Sequence, residues 1–235
     1  MGKNLLPRII IWFSFTLMTY KVFAQTEPSG TGSWLMFFNQ SRLSQKWSLH
    51  SEFQYRSFEI AKNTEQLLLR GGMNYHITNS SFTTIGYAHI SNFAFNKENA
   101  ESPQVTENRM WQQFLLRNNV GRFNLEHRFR LEQRWLTSES GSQYLNRFRL
   151  MLRATIPLNK VKIEKNILFL SLYNEIFINL SDNPFDRNRI YGAIGYQFLP
   201  GLNIQLGYLV QSVNQTSRHF IQTGVSYNLD FRQGD

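Results

Sequence analysis

The chain contains no cysteine, which excludes disulfides, thiol catalysis and thiolate metal sites. Charge is scarce as well: Asp, Glu, Lys and Arg make up 17% of the residues, against about 25% in ordinary soluble domains. Beyond the first two dozen residues, no apolar run approaches the roughly 20 residues that a membrane-spanning helix needs. The histidines His50, His76, His127 and His219 lack the helical His-x-x-x-His spacing of a metal site, so no metal is expected. No glycine loop is built to cradle a phosphate, and no cofactor is implied. The formal charge of +9 has no basic helix or tail behind it. Its arginines are spread among glutamates in alternating segments, so nucleic acid is not an expected partner.

What the chain has is alternation. In Arg122-Phe-Asn-Leu-Glu-His-Arg-Phe-Arg-Leu-Glu-Gln-Arg-Trp135, one set of alternate residues is Phe123, Leu125, His127, Phe129, Leu131, Gln133 and Trp135. The other is Arg122, Asn124, Glu126, Arg128, Arg130, Glu132 and Arg134. Successive side chains of a strand point to opposite faces, so this segment has one largely apolar face and one densely charged face. Comparable segments are expected at 33–41, 46–57, 64–76, 82–92, 107–118, 121–136, 143–156, 167–179, 188–198, 202–213 and 218–231. Each is about as long as a tilted strand needs to be to cross a bilayer. The mean hydropathy of −0.37 does not contradict a membrane setting, because alternate polar residues average the apolar stripe away. Aromatic residues reach 15%, as interfacial girdles would require.

The N-terminus has a basic start ending at Arg8, an apolar run from Ile9 to Tyr20, and Lys21-Val22-Phe23-Ala24 before Gln25. This pattern reads as a signal peptide over 1–24, followed by a single barrel domain over 25–235. The apolar run is too short for an anchor helix. Lys3, Arg8 and Lys21 would leave with the signal, taking +9 to +6. No cysteine follows the cut, so no lipid anchor is expected there.

The expected fold is all-β, a transmembrane antiparallel β-barrel of ten to twelve strands with a polar, charged lumen, in the bacterial outer membrane. A soluble barrel or sandwich with inward apolar faces would show the same alternation. The signal sequence, the strand lengths, the aromatic content and the loops favour the membrane form. Short connections are expected near Ser44-Gln45, Thr78-Asn79-Ser80, Asn118 to Gly121 and Leu199-Pro200-Gly201, with a somewhat longer one around Asn159. Longer ones are expected near 58–63, 93–106, 137–142, 180–187 and 214–217, which would be the extracellular side. Eleven strands leave a conflict, since the first and last would run the same way. Antiparallel closure asks for ten strands with 33–41 as an accessory, or for twelve.

With the apolar faces outward, the lumen would hold Arg56, Arg70, Arg109, Arg117, Arg128, Arg130, Arg134, Arg147, Arg149, Arg153 and Arg189. Its main counter-charges would be Glu52, Glu126, Glu132 and Glu175. So narrow a barrel cannot keep all of these hydrated, so arginine–carboxylate pairs should cross-link the interior. That arrangement reads as a salt-bridged plug. The surplus of arginine reads alternatively as a small anion-selective pore.

Several motifs carry a family resemblance: Glu107-Asn108-Arg109-Met110-Trp111-Gln112-Gln113, the strand from Glu126 to Arg134, Tyr144-Leu145-Asn146-Arg147-Phe148-Arg149, Tyr173-Asn174-Glu175-Ile176-Phe177, and Phe185-Asp186-Arg187-Asn188-Arg189 followed by Gly195-Tyr196. Together they resemble the outer-membrane barrel family catalogued as domain of unknown function 2490, over about Trp34 to Leu229. The resemblance implies a barrel in the outer membrane and brings no activity with it. Barrels of this kind commonly end on an aromatic residue, whereas Phe231 is followed here by Arg-Gln-Gly-Asp.

A second resemblance is local. Gly86-Tyr87-Ala88-His89-Ile90-Ser91-Asn92 is similar to the Gly-x-x-His-x-Ser-Asn stretch of outer-membrane phospholipase A and to the His-x-Ser pair of lipid A deacylases. It implies His89 as general base, Ser91 as nucleophile and Asn108 on the next strand as the residue orienting the ring, all on the outer wall. The interval from Ser91 to Asn108 is longer than the phospholipase pattern, and no other phospholipase signature is present. The leading expectation is therefore a non-enzymatic outer-membrane barrel with a salt-bridged lumen network of Arg128, Arg130, Arg134, Arg147, Arg149, Arg153, Arg189, Glu126, Glu132 and Glu175, in which passage of a small anionic solute is the second reading of the same arginines. The alternative is a lipid ester hydrolase. Expected partners are outer-membrane lipids, the barrel-assembly machinery during biogenesis and the anionic solute.

Overall fold

The computed structural model describes residues 30–95, 102–181 and 183–232. The signal peptide expected over 1–24 and part of the 93–106 connection lie outside the described residues. Eleven strands follow one another: β1 (Gly32–Arg42), β2 (Trp47–Glu59), β3 (Lys62–His76), β4 (Ser81–Asn92), β5 (Val105–Val120), β6 (Phe123–Ser138), β7 (Gly141–Pro157), β8 (Ile167–Asn179), β9 (Phe185–Leu199), β10 (Leu202–Val213) and β11 (Thr216–Tyr227). They close into one barrel in which each strand pairs with its neighbours in sequence. Among the described residues no helix is long and apolar enough to cross a membrane, which says nothing about strands.

The closing pair resolves the parity conflict in a way that neither ten nor twelve antiparallel strands would. β1 and β11 run parallel, from Gly32 opposite Phe220 to Phe38 opposite Ser226. All other pairs are antiparallel. An odd number of meandering strands can close only in this way. The chain end reinforces the seam. The last strand, expected to reach 231, stops at Tyr227, and the residues beyond it fold beside the end of β1. There Arg42 N–H donates to the Leu229 carbonyl and Phe231 N–H to the Arg42 carbonyl, both at 2.8 Å. Gln40 N–H donates to Asn228 Oδ1 at 2.9 Å.

The expected contrast in loop length is weaker in the structure. Of the connections read as long, only 93–104 and 180–184 are more than tight turns. The strands on either side of 60–61, 139–140 and 214–215 continue pairing until two residues remain. Within two of these turns Ala61 and Asn214 take positive φ (57° and 52°), the left-handed backbone favoured in two-residue hairpins, and Gly141 (126°) takes it at the residue that follows the third. The opposite end carries a long connection of its own, 158–166. Loop length therefore does not orient this barrel.

Alternation decides what each face carries. Outward positions hold exposed Leu35, Phe53, Leu69, Ile85, Phe114, Phe129, Leu172, Ile194 and Leu206. Arg130, Glu132, Arg149 and Glu175 are buried inside. This is the inverse of a water-soluble barrel, and the outward apolar surface runs all the way round. Aromatic pairs mark the two ends of the outer wall: Trp47 with Tyr75 (ring centroids 5.0 Å apart) and Trp135 with Tyr144 (5.3 Å). On β6 itself, Phe123 and Trp135 lie at opposite ends. Their separation is about 40 Å along the strand, or about 30 Å of height at the usual barrel tilt.

Candidate functional site

The charged half of the lumen is organised by register. Strand pairing sets Arg109 opposite Arg134, Glu132 opposite Arg147, and Arg130 opposite Arg149. Two of these pairs are like-charged, so each glutamate must bridge to several arginines around it. Glu132 is wholly buried and does so. It accepts from Arg147 Nη2 and Arg149 Nη1 at 2.7 Å each and from Arg109 Nη1 at 3.1 Å. Glu175 Oε1 accepts from Arg149 and Arg128, both at 2.7 Å. Glu107 takes a two-pronged contact from Arg134 (2.7 and 2.9 Å) and another from Arg109 Nε at 2.8 Å. Glu126 pairs with Arg117 at 3.1 Å and Arg153 at 3.6 Å, and Glu52 with Arg70 at 2.7 Å. Asp186 accepts from Arg147 at 2.7 Å and from Arg187 at 3.1 Å. Charge-assisted bonds of this length join β2 to β3 and β5 through β9 into a cross-linked wall.

Aromatic rings supply a second kind of partner. Arg149, Arg189 and Arg147 stand over the Phe177 ring at 4.3, 4.7 and 5.1 Å from its centroid. Arg130 and Arg70 face Trp111 at 4.6 and 5.6 Å. Room for Trp111 comes from the glycines beside it. A Cβ on Gly86 would lie 2.6 Å from the indole and 2.4 Å from the Gly71 carbonyl oxygen. Between these groups runs a cavity of about 460 Å³, lined by twelve arginines and only four glutamates.

On the outer wall, register sets His89 opposite Asn108. Asn108 Oδ1 accepts from His89 Nδ1 at 2.9 Å and from the Tyr87 hydroxyl at 2.6 Å. In the tautomer that donates Nδ1–H to the amide oxygen, His89 Nε2 would be the ring atom open to accept a proton. Ser91 lies two residues further along the same face, opposite Thr106, and its hydroxyl makes no hydrogen bond among the described residues. Next to His89, Gly71 leaves a groove of about 330 Å³ walled by Phe37, Phe53, Leu69 and Tyr87. No group of three or more His, Asp and Glu is arranged to hold a metal among the described residues.

A family model described as "Protein of unknown function (DUF2490)" matches residues 31–222. The chain belongs to this family. No curated protein and no solved structure matches it. The matched span of this DUF2490 barrel runs from β1 into β11, so it includes both the lumen network and the outer-wall cluster.

The structure turns Arg128, Arg130, Arg134, Arg147, Arg149, Arg153 and Arg189 to the inside together with Glu126, Glu132 and Glu175, where strand parity puts them. It brings His89 and Asn108 into contact but leaves Ser91 outside that hydrogen-bonded group. Sequence reasoning missed Glu107 and Asp186 as counter-charges. Glu107 shares strand parity with Arg109 two positions on, whereas Asp186 sits at a register shift of β9 and reaches Arg147 across β8, a contact that parity does not reveal. It also missed the rings that carry guanidiniums. In β1 both faces are apolar, Trp34 and Met36 inside and Leu35 and Phe37 outside, so parity alone could not assign Trp34 to the lumen.

Proposed function

We propose that this DUF2490 barrel is a non-enzymatic outer-membrane protein whose lumen binds and passes small anions. In this reading residues 1–24 are a signal peptide and the single domain begins at residue 25. The outward apolar surface, far larger than the few hundred Å² tolerated on a soluble monomer, favours lipid around the wall. The aromatic pairs at the two ends fit the two lipid–water interfaces. The observation that carries the anion reading is the cavity lining, twelve arginines against four glutamates, an excess that persists when the buried Glu132 and Asp186 behind that lining are counted with them. Guanidinium stays charged at any accessible pH, so the excess acts as a fixed positive field on the solute.

Reversal potentials of the refolded barrel in planar bilayers under a potassium chloride gradient test this. A potential displaced toward the chloride equilibrium supports the reading. A correctly folded, inserted barrel that conducts nothing, or conducts cations, overturns it.

One observation favours a second reading, a lipid ester hydrolase. The His89–Asn108 contact at 2.9 Å holds the imidazole at the edge of a largely apolar groove of about 330 Å³ on the outer wall. Its test is release of fatty acid from phospholipid and lipid A by the folded wild type, compared with Ser91→Ala and His89→Ala. Release abolished in both variants would replace the first reading, whereas a wild type without release leaves His89 as a rim residue.

A further inference from the structure

The ion-pair network leaves part of the lumen unneutralised, and what fills the gap there is not a carboxylate. Arg56, Arg130 and Arg189 are all buried, and each is held by a glutamine oxygen. Arg56 donates through Nε to Gln54 Oε1 at 3.0 Å. Arg130 donates to Gln113 Oε1 at 2.7 and 3.1 Å, with Glu132 no nearer than 4.0 Å. Arg189 donates through Nε to Gln211 Oε1 at 2.8 Å. A neutral amide oxygen fixes the direction of a guanidinium without cancelling its charge. A buried charge without a counter-charge is costly, and guanidinium cannot escape by losing its proton.

Two of these three arginines converge. The Cζ of Arg56 lies 3.9 Å from the centroid of the Trp34 ring, and that of Arg189 lies 4.8 Å from it. Register explains the meeting: Trp34 faces Arg56 across β1–β2, while Arg189 comes from β9, where it is paired with Gln211 of β10. Among the described residues neither arginine has a carboxylate within 4.0 Å. Trp34 is only 2% exposed, and its Nε1–H donor has no partner. All three side chains line the cavity. Two charged forks and a bare indole donor thus share one buried place with no anionic acceptor.

We infer that Arg56, Arg189 and Trp34 form a binding site for a single small oxyanion of the phosphate class. This rests on the anion-accepting lumen proposed above and assigns it a ligand class and a place. An oxyanion matches the donors because several oxygens can each accept from a separate fork, and guanidinium recognises such groups in two-pronged fashion. The Trp34 ring lies against both guanidiniums and the Phe177 ring against that of Arg189, contacts that hold the charges in place without neutralising them. The strand backbones stand between this site and the outer wall, so a free solute reaches it and a lipid headgroup does not.

The test uses the refolded barrel in zwitterionic detergent and inorganic phosphate, with ionic strength held constant. Equilibrium dialysis of labelled phosphate should saturate at one per chain, and phosphate should raise the unfolding temperature. Arg56→Gln and Arg189→Gln should each weaken binding about tenfold or more. The decisive variant is Gln211→Glu, which gives Arg189 a built-in carboxylate of the same shape. It should fold, lose phosphate binding and become indifferent to phosphate in its unfolding. Vesicles of anionic phospholipid offered in place of phosphate should not protect the wild type. The site is overturned if folded wild type binds no phosphate, if Gln211→Glu binds it as wild type does, or if anionic lipid substitutes for it. A barrel that conducts chloride yet shows no saturable phosphate keeps the passage reading and loses this site. One that binds phosphate but never conducts keeps the site and loses passage.

Discussion

Between β5 and β9 the inward face of the barrel concentrates arginines and carboxylates, whereas across the lumen, from β10 through β11 to β1, it is mostly rings, aliphatic carbon and uncharged glutamines. On the first side Glu132, Glu175 and Glu107 each hold two or more arginines at salt-bridge distance. On the second, Trp34, Met36, Leu209 and Phe220 pack with Tyr191 and Ala193 of β9. The strands differ accordingly. β6 and β7 pair through fifteen residues, while the parallel seam of β1 and β11 has seven. A charge network needs register, because a one-residue slip would turn every arginine outward into the apolar belt. An apolar lining needs only shape, and it tolerates the short parallel closure that an odd strand count imposes. Arg56 and Arg189 stand where the two linings meet, and there the carboxylates have run out.

The contrast breaks most severely at Glu132. Replacing it by alanine leaves Arg109, Arg147 and Arg149 buried around an absent counter-charge. Loss of one partner from a buried ionic cluster costs about 3–5 kcal/mol. Urea unfolding of the refolded barrel, followed by tryptophan fluorescence, should show a midpoint lowered by a matching amount. An unchanged midpoint would mean that the charged half does not hold the wall. The seam responds in the other direction. Leu35 lies beside Thr223 in the parallel register, and the chain has no cysteine to interfere. Leu35→Cys with Thr223→Cys should oxidise to a cross-link and stabilise the barrel by about 2–4 kcal/mol. Failure of the folded double variant to cross-link would rule out this register.

At the edge of the charged half, on β3 and β4, glycine makes room for the Trp111 ring of β5. Gly86→Ala would press a methyl group against Trp111 and the Gly71 carbonyl, and should cost about 1–3 kcal/mol in the same unfolding measurement. A variant as stable as wild type would show that Trp111 has room to retreat.

Much of this organisation was legible in the residues. Period-two alternation located all eleven strands, because burial of charge on one face leaves a regular mark at every second position. It also turned the right arginines inward. The parallel seam was visible only as a contradiction, since alternation records which way a side chain points and not which strand lies beside it. The segments 58–63, 137–142 and 214–217 look like loops in the sequence because polar and turn-forming residues gather there, although the strands continue pairing until two residues remain in each. The phosphate-class site was hidden for a different reason. Trp34 sits in a strand that is apolar on both faces, and the glutamines that hold Arg56 and Arg189 look like ordinary lumen polarity until the distances are known.

The smallest effect belongs to the rim of the charged half, where Arg117 meets Glu126 at 3.1 Å. The geometry resembles that of the central pairs, but the Arg117 side chain is 50% exposed, while Glu132 is not exposed at all. Water screens the attraction and rehydrates whatever the substitution leaves behind. Arg153 stays within 3.6 Å of the same carboxylate. Arg117→Gln should therefore change stability by less than about 1 kcal/mol. It should also show the stronger salt dependence expected of a solvent-exposed pair. If Arg117→Gln proved as damaging as Glu132→Ala, burial would not be what distinguishes the centre of the network from its rim, and the division of the lumen into a load-carrying charged wall and a shaping apolar one would have to be redrawn.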